Sequence, residues 1–333
     1  MDEVSFPPER VFVCPVCRAV LRAKGRSLRC ASGHTYDMAR SGYVNLLPPG
    51  RKSNARSGDP DSMVRARREF LSGGYYDRYV REAALLAAPF FGGGVMLDAA
   101  CGEGHHTLIL AESLRPALAV GIDASKKAAD AAAKAANASS KAAKGSSTAA
   151  NSLSAVSEAD TGADFLHSSD SLKQSAWCTS RTGFAFAAGN IFDMPVASAS
   201  CGLVTVLFAP IPFDEARRVL DVGGVLLTAG AGAEHLIELR RLIYDEVRIK
   251  NSAVTKPDGF CEVRSENISY KLELDPSSLL ALFEMTPFCF RAGAAARDRI
   301  ASSGGMSVTV SVDCKLYRKE LSDENFRMHT DVQ

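Results

Sequence analysis

Val95-Met96-Leu97-Asp98-Ala99-Ala100-Cys101-Gly102-Glu103-Gly104 is the stretch on which the fold turns. An apolar run ending in small residues reads as a buried strand, and the glycines after it read as a tight turn. His106 to Leu114 continues as an apolar helix, and Ala117 to Ile122 is a second strand that stops at Asp123. Strand, helix and strand within about thirty residues form a βαβ unit, which predicts a parallel sheet covered by helices, an α/β fold. Further strands are expected at Gly183 to Ala188, Leu203 to Phe208 and Val225 to Ala229, with helices at about Asp214 to Leu220 and Glu234 to Val247. The last third, through Tyr317, should add two or three strands and a helix near Pro276 to Glu284. Upstream, helices are expected at Asp61 to Leu71, closed by Gly73-Gly74, and at Tyr76 to Ala88.

One run breaks this rhythm. Between Ala124 and Ala163, sixteen of forty residues are Ala and eight are Ser. The first part, to about Ala136, is expected to be helical. The rest reads as a low-complexity loop reaching about Thr182, too long for a compact domain and therefore an insertion.

The 333 residues leave room for one large domain and a small one, and 46% apolar content supports a packed core. Six of the nine cysteines are scattered without paired spacing, which fits a reducing compartment rather than a secreted disulfide scaffold. The N-terminus has no apolar leader, and no apolar run reaches the roughly eighteen residues of a membrane span. The expected location is cytoplasmic, with an organelle left open. Net charge is +1, yet residues 10 to 56 hold ten bases and one acid, leaving 29 bases and 37 acids elsewhere. A basic module beside an acidic body suggests an anionic partner, nucleic acid first; a merely solvated surface is the alternative.

That basic segment contains Cys14-Pro15-Val16-Cys17, then Cys30 and His34. Two cysteines two residues apart form a knuckle that offers both sulfurs to one ion, and Cys30 with His34 completes a tetrahedral Cys₃His set. All four positions are protein ligands, so a single bound Zn²⁺ there would be structural rather than catalytic.

The glycine turn has its own chemistry. A glycine lets backbone pass close to a ligand, and a following helix points free N–H groups at it. His105 and His106 stand where a pyrophosphate fingerprint would need its third glycine, and Asp98 would repel a diphosphate but welcome a cationic methionine moiety. S-adenosylmethionine is therefore the expected cofactor, its methionine portion admitted by Gly102 and Gly104. Asp123 can accept from both ribose hydroxyls or cap a helix. Asn190, after the third strand, can read an adenine edge or serve as a turn residue. Phe208 ends the fourth strand, where it can stack on a substrate base or pack in the core.

Taken in order, these pieces resemble one family. They are Cys14-Pro15-Val16-Cys17, Cys30 through Gly33-His34-Thr35-Tyr36-Asp37-Met38-Ala39, Gly42-Tyr43-Val44-Asn45-Leu46-Leu47-Pro48, and Ala66-Arg67-Arg68-Glu69-Phe70-Leu71. Gly74-Tyr75-Tyr76, Asp98 to Gly104, Gly121-Ile122-Asp123, Ala209-Pro210, His235-Leu236-Ile237-Glu238-Leu239 and Met285-Thr286-Pro287-Phe288 complete the set. The chain resembles the bacterial ribosomal RNA (guanine-N1)-methyltransferases of the large subunit. The resemblance implies a class I S-adenosylmethionine methyltransferase, a Rossmann-like and mostly parallel sheet, with an N-terminal zinc module that helps hold ribosomal RNA. It implies cofactor contacts at Tyr76, Gly102, Glu103 and His235, and zinc on Cys14, Cys17, Cys30 and His34. Ala100 departs from the family, which usually has glycine there, and the low-complexity insertion is foreign to the bacterial pattern.

The expected division is a zinc module over 1–47, a linker with helices over 48–94, a catalytic domain over 95–317 with its insertion at about 138–182, and a polar tail over 318–333. The expected function is methylation of guanine N1 in large-subunit ribosomal RNA, with a homodimer left open. A small-molecule methyltransferase and a non-catalytic zinc RNA-binding protein are the alternatives.

Overall fold

The computed structural model describes residues 11–48, 60–150, 182–247 and 257–320. Its first elements are three short strands, β1 (Arg22–Lys24), β2 (Ser27–Arg29) and β3 (Thr35–Asp37), paired antiparallel in that order. A two-residue strand, β4 (Val44–Asn45), follows them. Two helices, α1 (Asp61–Ser72) and α2 (Asp77–Ala87), lead into the alternating part of the chain. That part runs β5 (Val95–Ala99), α3 (His105–Leu114), β6 (Leu118–Asp123), α4 (Lys126–Ala150), β7 (Gly183–Ala188), β8 (Cys201–Leu207), α5 (Phe213–Val219), β9 (Leu220–Ala231) and α6 (Ile237–Ile243). The last third holds β10 (Phe260–Leu274), α7 (Pro276–Glu284), α8 (Phe288–Arg291), α9 (Gly293–Ser302) and β11 (Met306–Lys319).

Eight strands form one sheet in the order β10-β11-β9-β8-β5-β6-β7-β4. From β9 to β4 every pairing is parallel. β11 runs antiparallel between β9 and β10. This is the expected mostly parallel α/β sheet, with the order of a class I methyltransferase and one added edge strand. Because both faces are covered, the central strands are apolar on both sides. Met96 and Leu97 are fully buried on opposite faces, Met96 with the residues of α2, α7 and α9, Leu97 with the residues of α5 and the N-terminal module.

Three expectations need correction. The predicted loop after Ala136 begins as helix instead, since α4 continues to Ala150. Alanine is the best helix former, so an alanine-rich run propagates a helix already started at Lys126; the remainder of the expected insertion, 151–181, lies outside the described residues. The helix expected over 234–247 is only Ile237–Ile243: Leu236 before it sits at φ +54° and cannot be helical, and Tyr244 after it is extended. Finally, no strand was expected at Val44-Asn45 of the zinc module, yet it pairs in parallel with Ala187-Ala188, and the Leu46 N–H continues the ladder to the Ala188 carbonyl at 2.8 Å. The linker residues 49–59 lie outside the described residues, as do 321–333 of the expected tail, whereas Arg318 and Lys319 belong to β11.

Among the described residues no helix is long and apolar enough to cross a membrane. Leu97 is fully buried at the centre of the sheet, so Leu97→Ala should cost about 2–5 kcal/mol of unfolding free energy. Urea titration followed by circular dichroism measures this; a loss below about 1 kcal/mol would contradict the packing described.

Candidate functional site

Parallel pairing puts the carboxyl ends of β5, β6 and β7 level, with Ala99 opposite Ile122 and Asp123 opposite Ala188. Ligands of open α/β sheets bind beyond that edge. The turn after β5 is tied to β6 there: the N–H groups of Ala100 and Cys101 both reach the Ile122 carbonyl, at 2.8 and 3.1 Å. The Gly102 N–H donates to Asp123 Oδ2 at 2.9 Å, and the Ser125 N–H to Asp123 Oδ1 at 2.8 Å. Ala100 has φ +66°, a left-handed conformation that costs a non-glycine residue about 1–2 kcal/mol. Glycine would take up the same conformation without that cost.

The two glycines do different work. A methyl group built on Gly102 would meet nothing within 4 Å, so the space over the turn is open to a ligand. One built on Gly104 would strike Ala132 Cβ of α4 at 2.8 Å, so Gly104 lets α4 pack against the corner. Asp98 lies beneath rather than at the surface. It is buried and accepts from Thr107 Oγ1 at 2.5 Å and Thr205 Oγ1 at 3.0 Å. Burial pushes its pKa up to about 6, against the pull of those two hydrogen bonds.

An aromatic wall rises beside the corner. Tyr76, buried at the start of α2, stacks on Phe208 at 6.2 Å with 13° between the rings. Tyr79 meets both rings edge-on. His235 lies 5.4 Å from the Phe208 ring, and its Nε2 is 3.3 Å from the Tyr76 hydroxyl. The Ser311 N–H donates to His235 Nδ1 at 3.3 Å. Burial holds the His235 pKa down at about 4, so the ring is neutral and the Ser311 bond places its proton on Nε2. Phe208 itself is 42% exposed and has φ +52°.

Glu103 is taken by Arg68 of α1 in a two-pronged pair, one arm of which is Nε to Oε2 at 2.8 Å. Asn190 Oδ1 accepts from the Phe192 N–H at 3.0 Å, the turn role. The structure thus gathers Gly102, Asp123, Tyr76 and His235 around the sheet edge, puts Asn190 at the end of β7, and sets Asp98 and Gly104 behind the corner. Sequence reasoning left His105 and His106 aside. They open α3, His105 bonding Asp77 Oδ1 at 2.8 Å and His106 the Tyr79 hydroxyl at 3.2 Å. It also missed Thr107, Thr205, Arg68 and Ser311, whose roles depend on contacts that no local pattern signals.

Cys14, Cys17, Cys30 and His34 bring their ligand atoms within 4.8 Å of one another. Cys17 to Cys30 sulfur is 3.6 Å, and His34 Nδ1 lies 3.4 Å from Cys30 and 3.6 Å from Cys14 sulfur. Zinc bonds of about 2.3 Å to sulfur and 2.0–2.1 Å to nitrogen give tetrahedral edges of roughly 3.5–3.8 Å, so the set fits one ion. A hydrogen bond from Ser32 brings the Cys17 pKa down to about 6, toward the thiolate a metal needs. The Tyr36 hydroxyl lies 3.1 Å from Cys14 sulfur, a partner of the kind that steadies zinc thiolates.

Residues 12–55 match a zinc-ribbon family described as RlmA, N-terminal, and residues 91–273 match a family described as methyltransferase domain. A Streptomyces fradiae protein named 23S rRNA (guanine(748)-N(1))-methyltransferase is 31% identical over 69% of this chain and 66% of its own. A Micromonospora griseorubida protein, provisionally named 23S rRNA (guanine-N(1)-)-methyltransferase, is 28% identical over 92% of this chain and 95% of its own. A Bacillus subtilis protein with the same provisional name is 27% identical over 91% of this chain and 95% of its own.

Two outcomes follow from the geometry. The folded state holds the Asp98 proton up to about pH 6, whereas the unfolded chain releases it near the ordinary 3.8. Stability therefore falls as pH rises through that window. Asp98→Asn, which stays uncharged, accepts from one threonine and donates its amide to the other hydroxyl, should remove this slope of about 2–3 kcal/mol in ligand-free protein, read by urea titrations at pH 4 to 7.5. Cys30→Ser should drop zinc content from about one ion per chain to near none and lower the unfolding temperature by at least a few degrees, by metal analysis and calorimetry. Full metal retention would refute the ligand set.

Proposed function

The chain belongs to the methyltransferase-domain family, and on that premise we propose that it methylates N1 of a guanine in large-subunit ribosomal RNA. The observation that carries this reading is the joining of a basic Cys₃His module, by a shared strand, to the sheet whose edge holds the Gly102 corner. Relatives with the same two-part span carry guanine-N1 names. The module offers a cleft of about 420 Å³ lined by Arg22, Lys24 and Arg29, with no acid among its lining residues. Such a cleft suits a phosphate backbone.

S-adenosylmethionine, when bound, supplies an electrophilic methyl on a sulfonium. Gly102 lets the donor approach the backbone, and a carboxylate such as Asp123 has about four acceptor sites, enough to hold the corner and accept from ribose hydroxyls. Asn190 stands on the adenine side. His235, with its proton on Nε2, donates to the Tyr76 oxygen and turns the Tyr76 proton outward, where it can donate to the cofactor. Glu103 contributes its backbone, since Arg68 holds its carboxylate. Phe208 receives the target base, which must be unstacked to reach N1. The N1 proton is passed to solvent, and positioning supplies much of the rate.

By role, we divide the chain into the zinc module (1–47), connecting helices (48–94), the catalytic domain (95–317) with its insertion, and the tail (318–333). The family matches at 12–55 and 91–273 support the two main parts. Ribosomal RNA as partner places the protein in the cytoplasm or an organelle with ribosomes, and the reading needs no second copy of the chain.

The test is transfer of labelled methyl from S-adenosylmethionine by the full chain to ribosomal RNA from cells lacking it, with small acceptors in parallel and mass mapping of the product. One guanine methylated at N1 is expected, and Phe208→Ala should slow the transfer by roughly tenfold to a hundredfold. Label in small acceptors but not in RNA would overturn the proposal.

A further inference from the structure

Arg18 immediately follows the second cysteine of the knuckle. Its backbone is left-handed, at φ +59°, and its N–H bonds the Cys14 carbonyl at 2.8 Å. The metal-binding turn therefore dictates where the side chain goes. It goes to the catalytic domain: the guanidinium pairs with Asp193 and donates to the Met194 carbonyl at 2.9 Å. Asp193 closes the turn that Asn190 opens, its N–H bonding the Asn190 carbonyl at 3.2 Å. The same segment is gripped twice more by the module, through the Val13 N–H to the Pro195 carbonyl at 3.0 Å and the Ala197 N–H to the Val11 carbonyl at 2.8 Å. On its other side α5 holds it, with Glu215 accepting from the Met194 N–H at 2.6 Å and Arg218 donating to the Met194 carbonyl at 2.9 Å. Met194 is fully buried in one apolar cluster with Cys14 and Cys30.

We propose that the zinc knuckle positions the adenine-side turn of the cofactor pocket through Arg18, so that zinc and the methyl donor bind with positive coupling. Arg18 is a positioning residue: it touches neither the metal nor the donor. An exposed ion pair alone contributes little. Here the guanidinium is fixed at its root by the knuckle and makes a second bond to main chain, so a slack knuckle frees Asp193 and leaves Met194 held by α5 alone. Coupling is reciprocal, so a ligand in the donor pocket must raise zinc affinity by the factor by which zinc raises its own. The proposal rests on the methyltransferase reading, because it takes Asn190 to lie beside bound adenine.

The experiment is equilibrium competition for zinc by a coloured chelator, on the full chain, with and without saturating S-adenosylhomocysteine, whose binding is measured separately by calorimetry. In the wild type, the product should raise the chelator concentration that removes half the zinc by about fivefold or more. Arg18→Ala should reduce this protection below about twofold and raise KM for S-adenosylmethionine, with little change in kcat or in KM for RNA. Arg18→Lys should restore part of it, because lysine keeps the charge for Asp193. Asp193→Asn, which leaves the module's own sequence intact, should lose the protection too and guards against misfolding of the Arg18 variant. Product that binds but leaves zinc retention unchanged would overturn the coupling while sparing the methyltransferase. A rise in KM for RNA alone in Arg18→Ala would make Arg18 an RNA contact and overturn the proposal as well. Absence of any product binding in the wild type would sink both readings.

Discussion

One buried carboxylate fixes the working edge of the sheet. Asp98, on the central strand, accepts from Thr107 on α3 and Thr205 on β8, and so locks three elements at the point where the backbone must turn sharply. A corner that leaves space over Gly102 cannot be held by packing on that side. It is held from below by this carboxylate and from the flank by the Ile122 carbonyl and Asp123. That scaffolding also accounts for alanine at position 100: the left-handed strain is tolerated because its N–H and the next are both bonded. The arrangement has a cost, since burying an acid raises its pKa and weakens the fold as it ionises.

The N-terminal module solves a different problem. A segment of about forty residues cannot bury enough surface to fold on its own and usually needs a metal or a neighbour. This one uses both. Cys14, Cys30, Leu21 and Leu28 share a cluster with Val204 and Leu226 of the sheet, and β4 extends the sheet itself. Ser41 adds a hold on α4, bonding Asp130 at 2.5 Å and receiving Asn137 at 2.9 Å. The module is therefore part of the architecture of the pocket and not a tethered arm.

What the sequence made legible were features whose chemistry is local. The glycine corner, the acid twenty-five residues after Asp98, and the knuckle with its later cysteine and histidine each work by spacing alone, and the structure sets them where spacing implied. What stayed hidden were partnerships between distant residues. Tyr76 and His235 are 159 positions apart, and Arg18 and Met194 are 176 apart. No periodicity announces such pairs. Strand β4 was missed because two residues carry no alternating pattern. The helix α4 was cut short because low complexity was read as disorder, although alanine favours helix and its small side chains let Ala129, Ala132 and Ala136 bury against the corner and sheet.

Phe208 shows how strain can separate function from packing. A phenylalanine serving only the core would be enclosed and would keep a relaxed backbone. This one is 42% exposed, lies beside a neutral histidine and a buried tyrosine, and holds a left-handed conformation that no bulky side chain adopts without cost. Its N–H bond to the Ala229 carbonyl ties that conformation to the end of β9. The sheet thus spends stability to stand one aromatic face upright at its carboxyl edge, and a flat, partly wet ring in that place is suited to a flat partner. A base drawn from an RNA loop, the partner proposed for this edge, has that shape.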